Sequence, residues 1–295
     1  MSAPGLHHIT AICADARATH EFYTRKLGLR LVKKTVNYDD PFTYHLYFGD
    51  GAGSPGTILT FFPWGGAPRG RVGTGQASAI AFAVPEGALD AWMARLAGEA
   101  IDFATPGERF GRPVVAFRDP DGIPLELIGV PGEGDAILGF HSATLSVTGY
   151  AHTAKLFTEH LGYRQEGEEG ERFRFRCGGA PWGQVLDIRC LPGGQYGTMG
   201  SGTVHHVAFR AADDAAQVAL QGVLAAAGYN VTPVRNRTYF KSIYLREPGG
   251  VLVEVATDPP GFTADEPLAE LGKSLKLPGW LEKQRELIEL ALPKL

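Results

Sequence analysis

The chain has 295 residues, 44% of them hydrophobic and 20% charged, with a net charge of -4. This is the balance of a soluble globular protein long enough for one large domain or two average ones. No basic excess favours nucleic acid or anionic lipid, and no apolar run approaches the ~18 residues that cross a bilayer. Met1–Gly5 lacks the basic start and apolar core of a signal peptide, and Cys13, Cys177 and Cys190 show no metal-type spacing. The expectation is a cytoplasmic protein with reduced thiols and neither a nucleic-acid nor a membrane partner.

Leu6-His7-His8-Ile9-Thr10 opens the chain as a strand, and a helix follows through Glu21-Phe22-Tyr23 to a C-cap at Leu27-Gly28. His141-Ser142-Ala143-Thr144-Leu145 repeats that strand and leads through Lys155-Leu156-Phe157 to Leu161-Gly162. A second repeat joins Ala79-Ile80-Ala81-Phe82 to His206-Val207-Ala208-Phe209. It continues with Phe117-Arg118-Asp119-Pro120 against Leu245-Arg246-Glu247-Pro248, and with Leu125-Glu126-Leu127 against Val253-Glu254-Val255, both at an offset of 128 residues.

Each unit then carries a strand, a helix and three further strands joined by Gly-, Pro- and Asp-rich turns. The units run 6–63, 76–130, 138–191 and 203–257. The predicted fold is α+β: four βαβββ modules paired into two curled mixed sheets with helices outside and concave faces inside. The predicted division is an N-terminal domain over 1–130, a C-terminal domain over 138–257 and a tail over 262–295. Residues 279–290 of the tail have helical periodicity, and structural packing is its expected role.

Strand alternation sends neighbouring side chains to opposite faces, so one member of each His pair is expected in a given cavity. Val207 and Phe209 form an apolar row for the helix side, which leaves His206 facing the other way. Val251, Val253 and Val255 do the same around Glu254. The repeat aligns His8 with His141 and His206, and so selects it over His7. A lone strand-end histidine is more often core or surface than ligand. A carboxylate in a Val-rich strand is costly unless paired or bound to a cation. His8, His206 and Glu254 are therefore the candidate ligands of a divalent metal with open coordination positions.

The second and third modules supply Glu126, His141 and Asp187, but Ala79 stands at the position of His206. These residues read as a degenerate, metal-free site or a weaker second one, and a structural role is the expectation.

The runs Gly5–Ala11, Leu27–Asn37 and Pro55–Pro63, with His205-His206-Val207 and Val253-Glu254-Val255, resemble the vicinal-oxygen-chelate superfamily of glyoxalase I, bleomycin-resistance proteins and extradiol dioxygenases. Within it the chain is most similar to four-module hydroquinone ring-cleaving dioxygenases, over nearly its whole length. The resemblance implies Fe(II), with Mn(II) as the alternative, held by His8, His206 and Glu254. It also implies a small aromatic substrate of the 1,4-dihydroxybenzene type and O₂ as co-substrate. His7, His205, Arg237 and Tyr244 fall on positions around the substrate, with His205 the first choice for moving a proton. Thr10 shares the predicted face of His8 and is a further candidate substrate contact. The rival readings are a glyoxalase-like metal isomerase or lyase and a non-catalytic sequestering protein. Glyoxalase I uses four protein ligands, and the place of the fourth falls in Thr57-Ile58-Leu59-Thr60-Phe61, which offers none. A monomer or a homodimer satisfies the chemistry, since the paired halves can close a cavity within one chain.

Overall fold

A computed structural model describes residues 5–295. The first module comprises β1 (Leu6–Cys13), α1 (Ala16–Glu21, widening into a π turn over Phe22–Lys26), β2 (Arg30–Asn37), β3 (Asp40–Gly49) and β4 (Ile58–Pro63). The second has β5 (Gln76–Pro85), α2 (Leu89–Gly98), β6 (Gly107–Arg109), β7 (Arg112–Arg118) and β8 (Pro124–Val130). The third has β9 (Gly139–Val147), α3 (Ala151–Glu159), β10 (Arg164–Glu169), β11 (Arg172–Arg176) and β12 (Val185–Cys190). The fourth has β13 (Thr203–Ala211), α4 (Asp214–Ala226), β14 (Arg235–Asn236), β15 (Lys241–Arg246) and β16 (Leu252–Thr257). Gly28 caps the first helix at φ 76°, and its N–H donates to the Thr24 carbonyl.

The strands form two eight-stranded mixed sheets, ordered β14-β15-β16-β13-β1-β4-β3-β2 and β10-β11-β12-β9-β5-β8-β7-β6. The first and fourth modules thus share one sheet, and the second and third share the other. In both, the first strands of the two modules pair antiparallel at the centre. Two ends of the chain therefore meet at a single seam, which brings the two His-His runs face to face. Ile9, Ala11, Val207, Phe209, Val253 and Val255 join Phe22, Trp92, Leu156 and Leu220 of the helices in one buried core. The alternate residues of those strands turn to the concave face.

The tail after Phe262 packs as expected. Leu281, Ile288 and Leu292 enter the main core, while Phe262 and Leu271 join a smaller cluster with Val32, Tyr47, Tyr239 and Phe240. Its helix is shorter than the periodicity of 279–290 predicts. Tight turns hold Leu281 and Gln284, and α5 covers Arg285–Ala291 alone. Trp280, expected on the helix, is 60% exposed and touches Tyr38 edge-on.

Candidate metal centre

Both His pairs contain a β-bulge. Thr10 pairs with His206 and Ala11 with Val204, so His205 is an extra residue in β13. Leu6 pairs with Phe209 and His8 with Ala208, so His7 is extra in β1. A bulge breaks the alternation and re-aims its side chain. This corrects the expectation that pair members lie on opposite faces: His205 and His206 line the same cavity, and the His7 ring lies with His8 against Phe240.

The doubled imidazoles also order one another. The Nδ1 atoms of His7 and His8 are 2.9 Å apart, and those of His205 and His206 are 2.7 Å apart. That contact leaves each Nε2 of His8 and His206 free. The two Nε2 atoms lie 3.4 Å from each other, and 3.4 and 2.9 Å respectively from Glu254 Oε2. With Nε2 as the ligand atom, each Nδ1–H donates to the neighbouring imidazole, which fixes tautomer and ring orientation.

Glu254 is fully buried; its Oε1 accepts from Ser242 Oγ, while Oε2 has no hydrogen-bond partner. Burial would raise this carboxyl, but His8 and His206 outweigh it and hold it well below the usual carboxylate range. One ligand atom from each of the three residues lies within 4.8 Å of the others. Two nitrogens and an orphaned carboxylate oxygen converging in a buried site fit a divalent transition metal with positions left open. No other such cluster occurs among the described residues.

The triad opens onto a cavity of ≈ 490 Å³, within the range of small-molecule sites, whose apolar wall includes Phe62, Trp64, Phe240 and Leu252. Tyr244, the cross-strand partner of Glu254, also faces it and accepts a hydrogen bond from Arg237 Nε at 3.2 Å. Arg237 pairs in turn with Asp39 at 3.3 Å. His205 lines the cavity, but burial and His206 hold it down to about 3, so it does not titrate near neutrality as its residue type suggests. Thr10 is fully buried behind the wall, bonded to Thr60 at 2.9 Å.

The other sheet shows the same frame without the centre. His8 pairs with Ala208 and Ala208 with Glu254; Ser142 pairs with Ala81 and Ala81 with Glu126. Ser142 is therefore the counterpart of His8, while His141 sits on a bulge and corresponds to His7. The sequence alignment of His141 with His8 is off by this one bulged residue. Arg109 clamps Glu126 through two contacts of 2.6 and 2.7 Å, and Arg174 clamps Asp187 at 2.8 and 2.9 Å. Glu126 and Asp187 are thus each engaged by an arginine, and His141 Nδ1 lies 3.0 Å from Ser142 Oγ. Arg109 is the repeat counterpart of Arg237, and Ala116 of Tyr244. Where the phenol is lacking, the guanidinium lies directly on the carboxylate.

Sequence reasoning missed His45 and Tyr47, which line the cavity from β3. Their signal was alternation: Tyr44, Leu46 and Phe48 enter the core, which turns the residues between them to the concave face.

Residues 5–127 and 139–255 match the model of the Glyoxalase/Bleomycin resistance protein/Dioxygenase superfamily. The chain is 46% identical to "Putative ring-cleaving dioxygenase MhqO" of Bacillus subtilis, over 98% of its own length and 95% of the relative's. It is 36% identical to the chlorohydroquinone/hydroquinone 1,2-dioxygenase of Sphingobium indicum, over 94% and 92%. A crystal structure described as a "putative dioxygenase" from Bacillus subtilis superposes with a TM-score of 0.95 at 46% identity, covering 99% of this chain and 97% of that one. With its paired modules and curled sheets, the chain belongs to the glyoxalase/bleomycin resistance/dioxygenase superfamily.

Proposed function

We propose that the chain is an Fe(II)-dependent dioxygenase that cleaves the ring of a hydroquinone-type substrate with O₂. The observation that carries this reading is the buried His8, His206 and Glu254 triad opening on an aromatic-walled cavity. The relatives named for ring cleavage and for hydroquinone support the reaction class. Two histidines and a carboxylate leave Fe(II) room for a substrate oxygen and O₂, and the oxygen chemistry is the metal's own.

The chain's part is to hold the ring and stabilise negative charge. With His206 Nδ1–H donating to His205 Nδ1, the cavity-facing Nε2 of His205 carries a hydrogen and acts as a donor. Arg237 donates to the Tyr244 oxygen, which leaves the Tyr244 hydrogen for an acceptor in the cavity. These donors and the guanidinium face the cavity, where they would stabilise a substrate oxyanion beside the apolar wall. His7 positions His8, as His205 positions His206.

A glyoxalase-like isomerase is disfavoured by Thr60, which stands in β4 where the fourth ligand is expected and is bonded to Thr10 and His45. The test is anaerobic loading with Fe(II), followed by O₂ uptake and ring-opening absorbance with methyl- and chlorohydroquinone. Uptake matched by loss of the aromatic ring supports the reading. Thiol-dependent isomerisation without O₂ uptake, or binding without turnover under any metal, overturns it.

A further inference from the structure

Arg235 stands on β14, the edge strand of the sheet that carries the metal triad. It pairs with Ser242, whose Oγ donates to Glu254 Oε1. Cross-strand partners share a face, so Arg235 turns to the concave side with Ser242 and Tyr244, and it lines the cavity there. β15 alone separates its strand from that of Glu254, which puts Arg235 about 10 Å from the carboxylate across the sheet.

The repeat separates this arginine from its neighbour Arg237. Arg237 corresponds to Arg109, and both are engaged: Arg237 by Tyr244 and Asp39, Arg109 by Glu126. Arg235 corresponds to Gly107, and its partner Ser242 to Val114. The metal-free sheet therefore has neither this cation nor its polar neighbour. Charge counting leaves the cation in excess. The carboxylates on the cavity wall are Glu254 and Asp39; Glu254 faces His8 and His206, and Asp39 lies 3.3 Å from Arg237. Among the described residues Arg235 enters no ion pair and no side-chain hydrogen bond, and it is exposed at the rim. The cavity, at ≈ 490 Å³, is of a size that encloses drug-sized ligands, so one dihydroxylated ring seated at the triad leaves room along the wall towards Arg235.

We propose that Arg235 is a substrate-binding residue that takes a carboxylate carried on a short arm of the ring, so that the substrate class extends to acidic hydroquinones. The proposal rests on the hydroquinone reading above. A guanidinium suits a carboxylate because its planar fork gives two parallel N–H···O bonds. An unpaired cation at the mouth of a cavity also draws anions towards it, an effect that salt screens. A methyl or chloro substituent makes no use of Arg235 and leaves the guanidinium in water. The acid and an uncharged analogue of the same shape therefore differ in this one contact.

The test titrates 2,5-dihydroxyphenylacetate and its uncharged amide anaerobically into Fe(II)-loaded protein. The two compounds share the ring and are nearly isosteric. At low salt wild type should bind the acid about tenfold more tightly than the amide, and the preference should shrink as salt is raised. Arg235→Gln should erase the preference while iron content stays at the wild-type level, since the side chain touches no ligand of the centre. Equal binding of acid and amide by wild type overturns the assignment, and so does a preference that survives in Arg235→Gln; in either case binding of the ring leaves the hydroquinone reading standing. Failure of wild type to bind either compound overturns that reading, and the assignment with it.

Discussion

His206 Nε2 stands 2.9 Å from Glu254 Oε2, on parallel neighbouring strands and in a site where both side chains are buried. No hydrogen bond reaches that oxygen, and His8 Nε2 approaches it from the other strand of the seam. Glu254→Gln keeps the shape and Oε1-like acceptor but removes the charge, and His206→Ala removes one ligand. Each should reduce iron from one per chain to a substoichiometric amount, read by metal analysis after desalting. Stoichiometric iron in either variant would remove these residues from the centre.

His7 acts one layer further out, through its 2.9 Å contact with His8 Nδ1. His7→Phe keeps the ring's packing against Phe240 and deletes the acceptor. Metal affinity should fall by roughly 10–100-fold, the usual effect of losing an outer-shell partner, with circular dichroism unchanged. A competition titration against a chelator gives the number.

The Arg109–Glu126 clamp should matter for stability and not for turnover. Arg109→Met strands a carboxylate that is 9% exposed, and the cost should be roughly 3 kcal/mol by denaturant unfolding. Adding Glu126→Leu should recover most of it. Both variants should keep wild-type kcat/KM, since the clamp lies in the other sheet.

Lys33 ties the tail to β2. Its ammonium is fully buried, 2.6 Å from Asp265, in contact with Glu266 and over the Tyr239 ring at 4.7 Å. Lys33→Met leaves two acidic groups facing a buried site, and should cost on the order of 3–5 kcal/mol. Limited proteolysis should then cut within 262–277 faster than in the wild type.

Acid should destabilise the protein through its buried histidines. Burial, with Arg174 nearby, lowers His141 from its ordinary 6.5 to about 3. The unfolded chain therefore takes up a proton below pH 6.5 that the folded chain refuses. Stability from this group is full above that pH and is lost progressively as pH falls towards 3. At pH 5 the loss should be about 2 kcal/mol relative to pH 8, and His141→Gln should remove that part of the slope. Paired urea titrations at the two pH values measure it.

The candidate ligand set was legible from one local cue and one repeat. Glu254 is a charge in a row of valines, and the repeat pairs it with Glu126 and aligns His8 with His206. The module order was legible from the same repeat. The bulges at His7 and His205 were not, because one inserted residue leaves no mark in an alternation of mixed polar and apolar residues, and it also displaced the alignment of His141. The clamp of Arg109 on Glu126 depends on Ala116 being small across a strand pair, which only register reveals. The bond of His45 to Thr60 was hidden for a similar reason, because it crosses from β3 to β4.

The most direct test of the account is the fate of ¹⁸O₂ during turnover of methylhydroquinone by the Fe(II)-loaded protein. The account predicts a ring-opened product carrying both labelled atoms, formed one for one with the O₂ consumed. An unlabelled benzoquinone accompanied by hydrogen peroxide would contradict it.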